Sequence, residues 1–153
     1  MKSALIKKMK LIGITVGIPM LIGVLIYLLF RSKNLIFVQF VQELELSKNL
    51  VFFNLISSEI ILPNIILYSL PDALWAFALI NLVLIIWDYT ITVNSAIWIL
   101  ISVLIILLSE FGQLFQILKG TFDINDLIIM LIASTLPFII FFKQIKTAHY
   151  ENK

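Results

Sequence analysis

The chain has 153 residues, 61% of them hydrophobic, a net charge of +2 and no cysteine. Soluble domains run nearer about 45–50% apolar, so the composition indicates a single-domain membrane protein, and the small charge makes no case for a nucleic-acid partner. The missing cysteines exclude disulfides, thiol nucleophiles and cysteine-ligated metals, and the only histidine, His149, lies in a polar tail, which excludes histidine chemistry inside the membrane.

The chain opens on a basic segment with Lys2, Lys7, Lys8 and Lys10. An apolar run over 11–30 follows. At 1.5 Å per residue it is roughly 30 Å long, one hydrocarbon core. It ends in YLLFRSK, without the small-residue cleavage site of a secretory signal, and reads as an uncleaved first span. Gly13 and Gly17 form a G-x-x-x-G pair that suits close helix packing, within the bundle or across a homodimer. Pro19 removes a backbone donor and predicts a bend.

Residues 31–69 are apolar but broken by Gln39, Gln42, Glu43, Glu45, Lys48, Asn54 and Glu59. No stretch is clean enough to span, so the segment is expected to lie in the headgroup region as one or two short amphipathic helices, or to form a re-entrant pair where other helices bury its backbone. Leu70-Pro71-Asp72 opens a second span over 71–88, with proline and an acid in the first turn, where both are favoured. Trp75 and Trp87 sit near its ends, as interfacial aromatics do, and mid-span Asn81 is expected to face another helix. A short turn leads to a third span over 95–118, capped by Asn94 or Ser95. That span carries Glu110 and Gln113 on one face at i and i+3. Gly120 is the expected stop. Asp123 caps the last span, 124–142, and Asp126 three residues on completes a capping-box-like pattern. Pro137 predicts a bend in that span.

The expected fold is therefore an all-α membrane protein, a four-transmembrane-helix bundle with an interfacial segment between the first and second spans. With both termini inside, Lys2, Lys7, Lys8, Lys10, Lys143, Lys146 and Lys153 lie inside, against Arg31, Lys33, Lys48 and Lys119 outside. The positive-inside rule then favours cytoplasmic termini.

Depth gives the candidate site. Asp72, Glu110 and Asp126 each stand about 15–16 residues from the inner end of their span, roughly 22–24 Å above it. Three acids on three spans share one level. Acids at such depth belong in a bundle interior or a wet cavity. Asp72, Asp123 and Asp126 also have a simpler reading as first-turn acids that favour the helix dipole. Glu110 has less of that explanation, because it lies in the C-terminal half of its helix, where negative charge is disfavoured. The candidate ligand-binding residues are Asp72, Trp75, Glu110, Gln113, Asp123 and Asp126. A carboxylate pair can serve as acid and base, hold Mg²⁺ or Ca²⁺, or bind the cationic or hydroxyl groups of a lipid-linked head group. Nothing in the sequence selects a nucleophile, a metal or a cofactor, and the chain is not read as an enzyme.

Glu110-x-x-Gln113, followed by G-T-F-D-x-x-D from Gly120 to Asp126, resembles the second half of the VanZ-like family of small bacterial membrane proteins. Upstream, L-P-D-A-L-W from Leu70 to Trp75 resembles a form of that family in which a span opens at Pro-Asp. The likeness covers about residues 70–133. It departs at Thr121, where arginine is usual, at Met130 and Ala133, where asparagine and glycine are expected, and in lacking a histidine after the Asp of the earlier span. The resemblance implies the bacterial cytoplasmic membrane and cell envelope, with a link to glycopeptide-antibiotic resistance. Three functions follow as expectations: an envelope protein binding a lipid or cell-wall precursor head group in an outward-facing pocket; a small transporter or channel subunit with the acids as a cation or proton site; or a membrane scaffold without a small ligand. Membrane lipids are the expected partners.

Overall fold

A computed structural model describes residues 2–30, 63, 65–118 and 122–147. Within them the chain is almost entirely helical. Helix α1 (Lys2–Ile12) runs through a π-helical turn at Gly13–Gly17 into α2 (Ile18–Phe30). A second π-helical turn, Ile65–Ser69, leads into α3 (Leu70–Ile86). Strand β1 (Thr90–Ile91) and helix α4 (Val93–Leu114) follow, then α5 (Ile124–Ile140), a 3-10 turn at Phe142–Gln144, and β2 (Lys146–Thr147). Three continuous helices are long and apolar enough to cross a membrane: Leu5–Leu28, Ile65–Ile86 and Val93–Leu114. The apolar α5 is shorter, at 17 residues. This is an all-α membrane-type architecture, and the long apolar helices suggest a membrane-embedded protein.

Helix α3 is the centre. The most apolar window of Ile65–Ile86 is 56% buried, against 11% for Leu5–Leu28 and 28% for Val93–Leu114. Helices α2, α4 and α5 all pack on α3. Ala73, Ala76 and Ala78 are buried along it, and small side chains let helix backbones approach closely. The main core gathers Val16, Ala78, Ile80, Leu84, Ile85 and Tyr89; a smaller one gathers Ala76, Ile106 and Met130. Many large apolar side chains on the other helices point outward, Leu21, Leu104, Leu108 and Ile132 among them. An outward apolar shell of this kind suits lipid rather than water.

The first helix shows how its proline is accommodated. In an α-helix the carbonyl of Thr15 would pair with the N–H of residue 19, and Pro19 has none. The helix widens into the π turn just before Pro19, and Asn81 of α3 supplies donors instead. Its Nδ2 donates to Thr15 Oγ1 at 2.7 Å and to Thr15 O at 3.4 Å. Asn81 is fully buried, so the expectation that it faces another helix holds. A neighbouring helix serving a proline-freed carbonyl is how spans tolerate proline.

The glycine pair behaves otherwise than packing within the bundle requires. A Cβ on Gly13 would meet nothing within 4 Å, and one on Gly17 would meet only Ile12 O at 3.9 Å. The close contact is at Gly23. A Cβ there would lie 2.5 Å from Trp75 Nε1 and 3.2 Å from Pro71 O.

Several boundaries move. The second long helix begins at Ile65, not residue 71, so 65–69 form its entry rather than an interfacial segment; residues 31–62 lie outside the described residues. Helix α3 ends at Ile86, and Asp88 and Tyr89 turn the chain with φ of 49° and 58°. The cap of α4 is Thr92, not Asn94 or Ser95. Its side chain accepts from Ser95 N, while Ser95 Oγ accepts from Thr92 N, a full capping box. Helix α4 stops at Leu114, before residue 118. Gln116 takes a left-handed φ of 57°, and the N–H groups of Ile117 and Leu118 both return to Gly112 O. The stop expected at Gly120 lies outside the described residues.

The two ends of the bundle are defined by contacts across the chain. At one end, Lys8 Nζ reaches Asp88 Oδ1 at 2.8 Å and Ile86 O at 3.3 Å. Strand β1 pairs parallel with β2, Thr90 opposite Lys146 and Ile91 opposite Thr147. The start of the first helix, the α3–α4 turn and residues 144–147 therefore share this end. The entry to α3, the end of α4 and the start of α5 share the other.

Candidate functional site

Four of the six expected site residues meet at that other end. Asp72 and Trp75 come from the first turns of α3, and Glu110 and Gln113 from the last turns of α4. They line one cavity of about 250 Å³, together with Ala76, Leu79, Ile105, Ile106, Ser109 and Met130. Its chemistry is mixed: two carboxylates, a carboxamide and a hydroxyl stand among aliphatic, thioether and indole groups.

Local structure explains the convergence. The buried positions of α4 are Ser95, Ser102, Ile106 and Glu110, spaced seven, four and four, which is one helical stripe. That stripe faces α3 and α5 and carries Glu110 inward, leaving it only 2% exposed. Ser102 and Ser109 return their hydroxyls to the carbonyls of Trp98 and Ile106 at 2.9 and 2.7 Å, the usual way a serine is satisfied within a helix. Asp72, at half burial, stands on α3 directly behind Pro71.

Trp75 is positioned from the first helix. It stacks on Tyr27 with ring centroids 5.1 Å apart and planes 20° from parallel. Its Nε1 donates to Met20 O at 3.4 Å. Gly23, without a side chain, leaves room for the indole. An indole stacked on Tyr27 is a rigid wall for the cavity, and an indole face can attract a cation.

The remaining two residues are placed differently. Asp126 is buried at 8% exposure and accepts a hydrogen bond from Ser69 Oγ at 2.5 Å. It does not line the cavity, although Met130, one turn later on α5, does. Nor does it close a capping box with Asp123. Burial turns the Asp126 side chain toward the α3 entry, where Ser69 serves it. Asp123 is exposed and caps α5 locally, its Oδ1 accepting from Asn125 N at 2.8 Å and from Asn125 Nδ2 at 2.9 Å. Asp123 thus serves as the N-cap of α5, and Asp126 ties α5 to α3.

Ser69, Gly23, Tyr27 and Met130 were missed from sequence. Ser69 had one available signal, its position just before the Leu70-Pro71-Asp72 entry. The others depend on which helix faces which, and no local pattern reports that. Among the described residues no group of three or more histidine, cysteine or acidic side chains is arranged to hold a metal. Comparison with family models, with curated proteins and with solved structures gives no match for this chain.

Proposed function

We propose that the chain is a four-span protein of the bacterial cytoplasmic membrane that binds a small cationic or hydroxyl-bearing lipid head group in the Asp72–Glu110 cavity. In this reading α5 is the fourth span; 17 residues are at the short end of what crosses a hydrocarbon core. Both termini are cytoplasmic and the acid-lined cavity opens toward the outer leaflet, in keeping with the lysine distribution.

The observation that carries the proposal is the meeting of Asp72 and Glu110, from two different helices, over one cavity walled by a fixed indole. Carboxylates and a carboxamide accept hydrogen bonds from ammonium and hydroxyl groups, and the aliphatic wall suits the start of an acyl chain. At about 250 Å³ the cavity falls just under the roughly 300–1,000 Å³ of pockets for drug-sized ligands. That favours a small head group over a whole glycan. The likeness to VanZ-like proteins at Glu110, Gln113 and the Pro71-Asp72 entry supports an envelope role of the same kind, with a link to glycopeptide susceptibility. The activity is binding, with no reaction assigned.

The test is native mass spectrometry of the detergent-purified chain with phosphatidylethanolamine as probe, comparing it with the double variant Asp72→Asn, Glu110→Gln. Both substitutions keep shape and remove charge. The variant is expected to lose retained phosphatidylethanolamine at an unchanged melting temperature, and cells carrying it to lose any glycopeptide phenotype. Full retention by the double variant would sink the head-group reading and leave a scaffold.

A further inference from the structure

The end of the molecule away from the carboxylates has a cavity of its own, larger and of opposite sign. It measures about 420 Å³. Lys7 and Lys8 reach it from the first helix, Gln144 and Lys146 from the segment after α5, and Leu11 and Ile85 form an apolar floor. Asp88 is the acid among its lining residues, so three lysines against one aspartate leave a formal charge of +2. We propose that this cavity binds the phosphate of an anionic phospholipid.

Three features carry the inference. The lysines come from opposite ends of the sequence and are brought together by fixed contacts. Lys8 is held on Asp88 at 2.8 Å, and Lys146 is fixed in position by its backbone bond to Tyr89 O at 2.9 Å and by the β1–β2 pairing. The cavity lies beside the last turn of α3, about 20 Å along that helix from Asp72, at the level where an apolar helix meets head groups. Its floor is apolar while its rim is cationic. A phosphate with a glycerol and acyl chains satisfies both parts, and a free phosphate satisfies only the rim. Basic pockets between membrane helices are where anionic head groups bind.

The experiment measures retention of phosphatidylglycerol against phosphatidylcholine by the full chain in detergent, by native mass spectrometry. A surface-proximal lysine contributes about fivefold to the association of anionic lipid. Lys7→Gln and Lys146→Gln are each expected to lower the phosphatidylglycerol preference by about fivefold, and roughly 25-fold together. Both side chains are exposed, so the melting temperature should hold. Lys10→Gln, on the same helix but outside the cavity, should leave the preference unchanged. In the unaltered protein, added salt should weaken it through screening. An unchanged preference in the double variant, or an equal loss with Lys10→Gln, overturns the site. Displacement by inorganic phosphate at concentrations matching the lipid overturns the lipid and assigns the cavity to free phosphate.

Discussion

The two ends of the bundle place their charges in opposite ways. At the carboxylate end the acids are desolvated: Glu110 is 2% exposed and Asp126 8%. Ser69 holds Asp126, and Trp75 against Gly23 joins the helices at this end. At the lysine end the charges stand in the open. The Asp88 side chain is 79% exposed, and its partner Lys8 33%. Burial makes a polar group costly to leave without a partner, whereas an exposed pair is screened by water and salt. The carboxylate end should therefore govern stability, and the lysine end electrostatic attraction.

Gly23→Leu gives the largest expected effect. It would drive a side chain into Trp75 Nε1 and Pro71 O and separate the first helix from α3. Overpacking of this kind costs about 1–3 kcal/mol or more, visible as a lowered melting temperature in detergent. Gly13→Leu with Gly17→Leu should leave the fold intact, because those positions meet no other helix. A fall in particle mass with that pair would identify a homodimer face there.

Ser69→Ala comes next. It leaves buried Asp126 without its hydroxyl donor, a loss of about 1–3 kcal/mol. Ser69→Thr should restore most of it. A melting temperature unchanged by Ser69→Ala would show that the buried acid is served in another way, and the contrast between the ends would narrow.

Asn81→Ala removes the donor to Thr15 Oγ1 and O, midway between the ends. Hydrogen bonds between membrane helices average about 0.6 kcal/mol and reach about 1.7, so a loss in that range is expected from thermal unfolding. The smallest effect at neutral pH belongs to Lys8→Gln, at roughly 0–1 kcal/mol. If Lys8→Gln cost more than Ser69→Ala, the comparison would be reversed.

One group at the lysine end is set by burial, and it titrates outside the neutral range. Tyr89 sits in the turn after α3, and desolvation raises its phenol above its ordinary value of 10.0. The unfolded chain ionises first as pH climbs past that value, while folded Tyr89 keeps its proton. Stability should be unaffected below pH 10.0 and should fall above it. Ultraviolet titration of Tyr89→Phe against the unaltered chain isolates that step.

Depth along a helix was legible in the sequence, and rotation about its axis was not. Counting residues placed Asp72 and Glu110 at one level because helical rise is constant, and the structure brings them to one cavity. The inward face could not be read so easily. A helix apolar on all sides lacks the periodic contrast that marks a buried face, and lipid and core call for the same residues in α3. Gly13 and Gly17 illustrate the cost: their spacing is ideal, yet it was Gly23 that met Trp75. The reach of Ser69 to Asp126 and of Lys8 to Asp88 spans 57 and 80 residues, beyond any local pattern. The left-handed Gln116 that ends α4 went unseen because glycine, not glutamine, is the usual residue there.

The bond between Asn81 and Thr15 bears on the order of assembly. A chain synthesised from its N-terminus delivers the first helix to the bilayer before α3 exists. In that interval Thr15 lacks the donor that Asn81 will bring to its hydroxyl and carbonyl oxygens. The first helix thus enters incomplete, and the arrival of α3 finishes it. Because one side chain must find one carbonyl and one hydroxyl, docking selects a single rotational setting of the pair. The proline that weakens the first helix alone thereby fixes its alignment with the second.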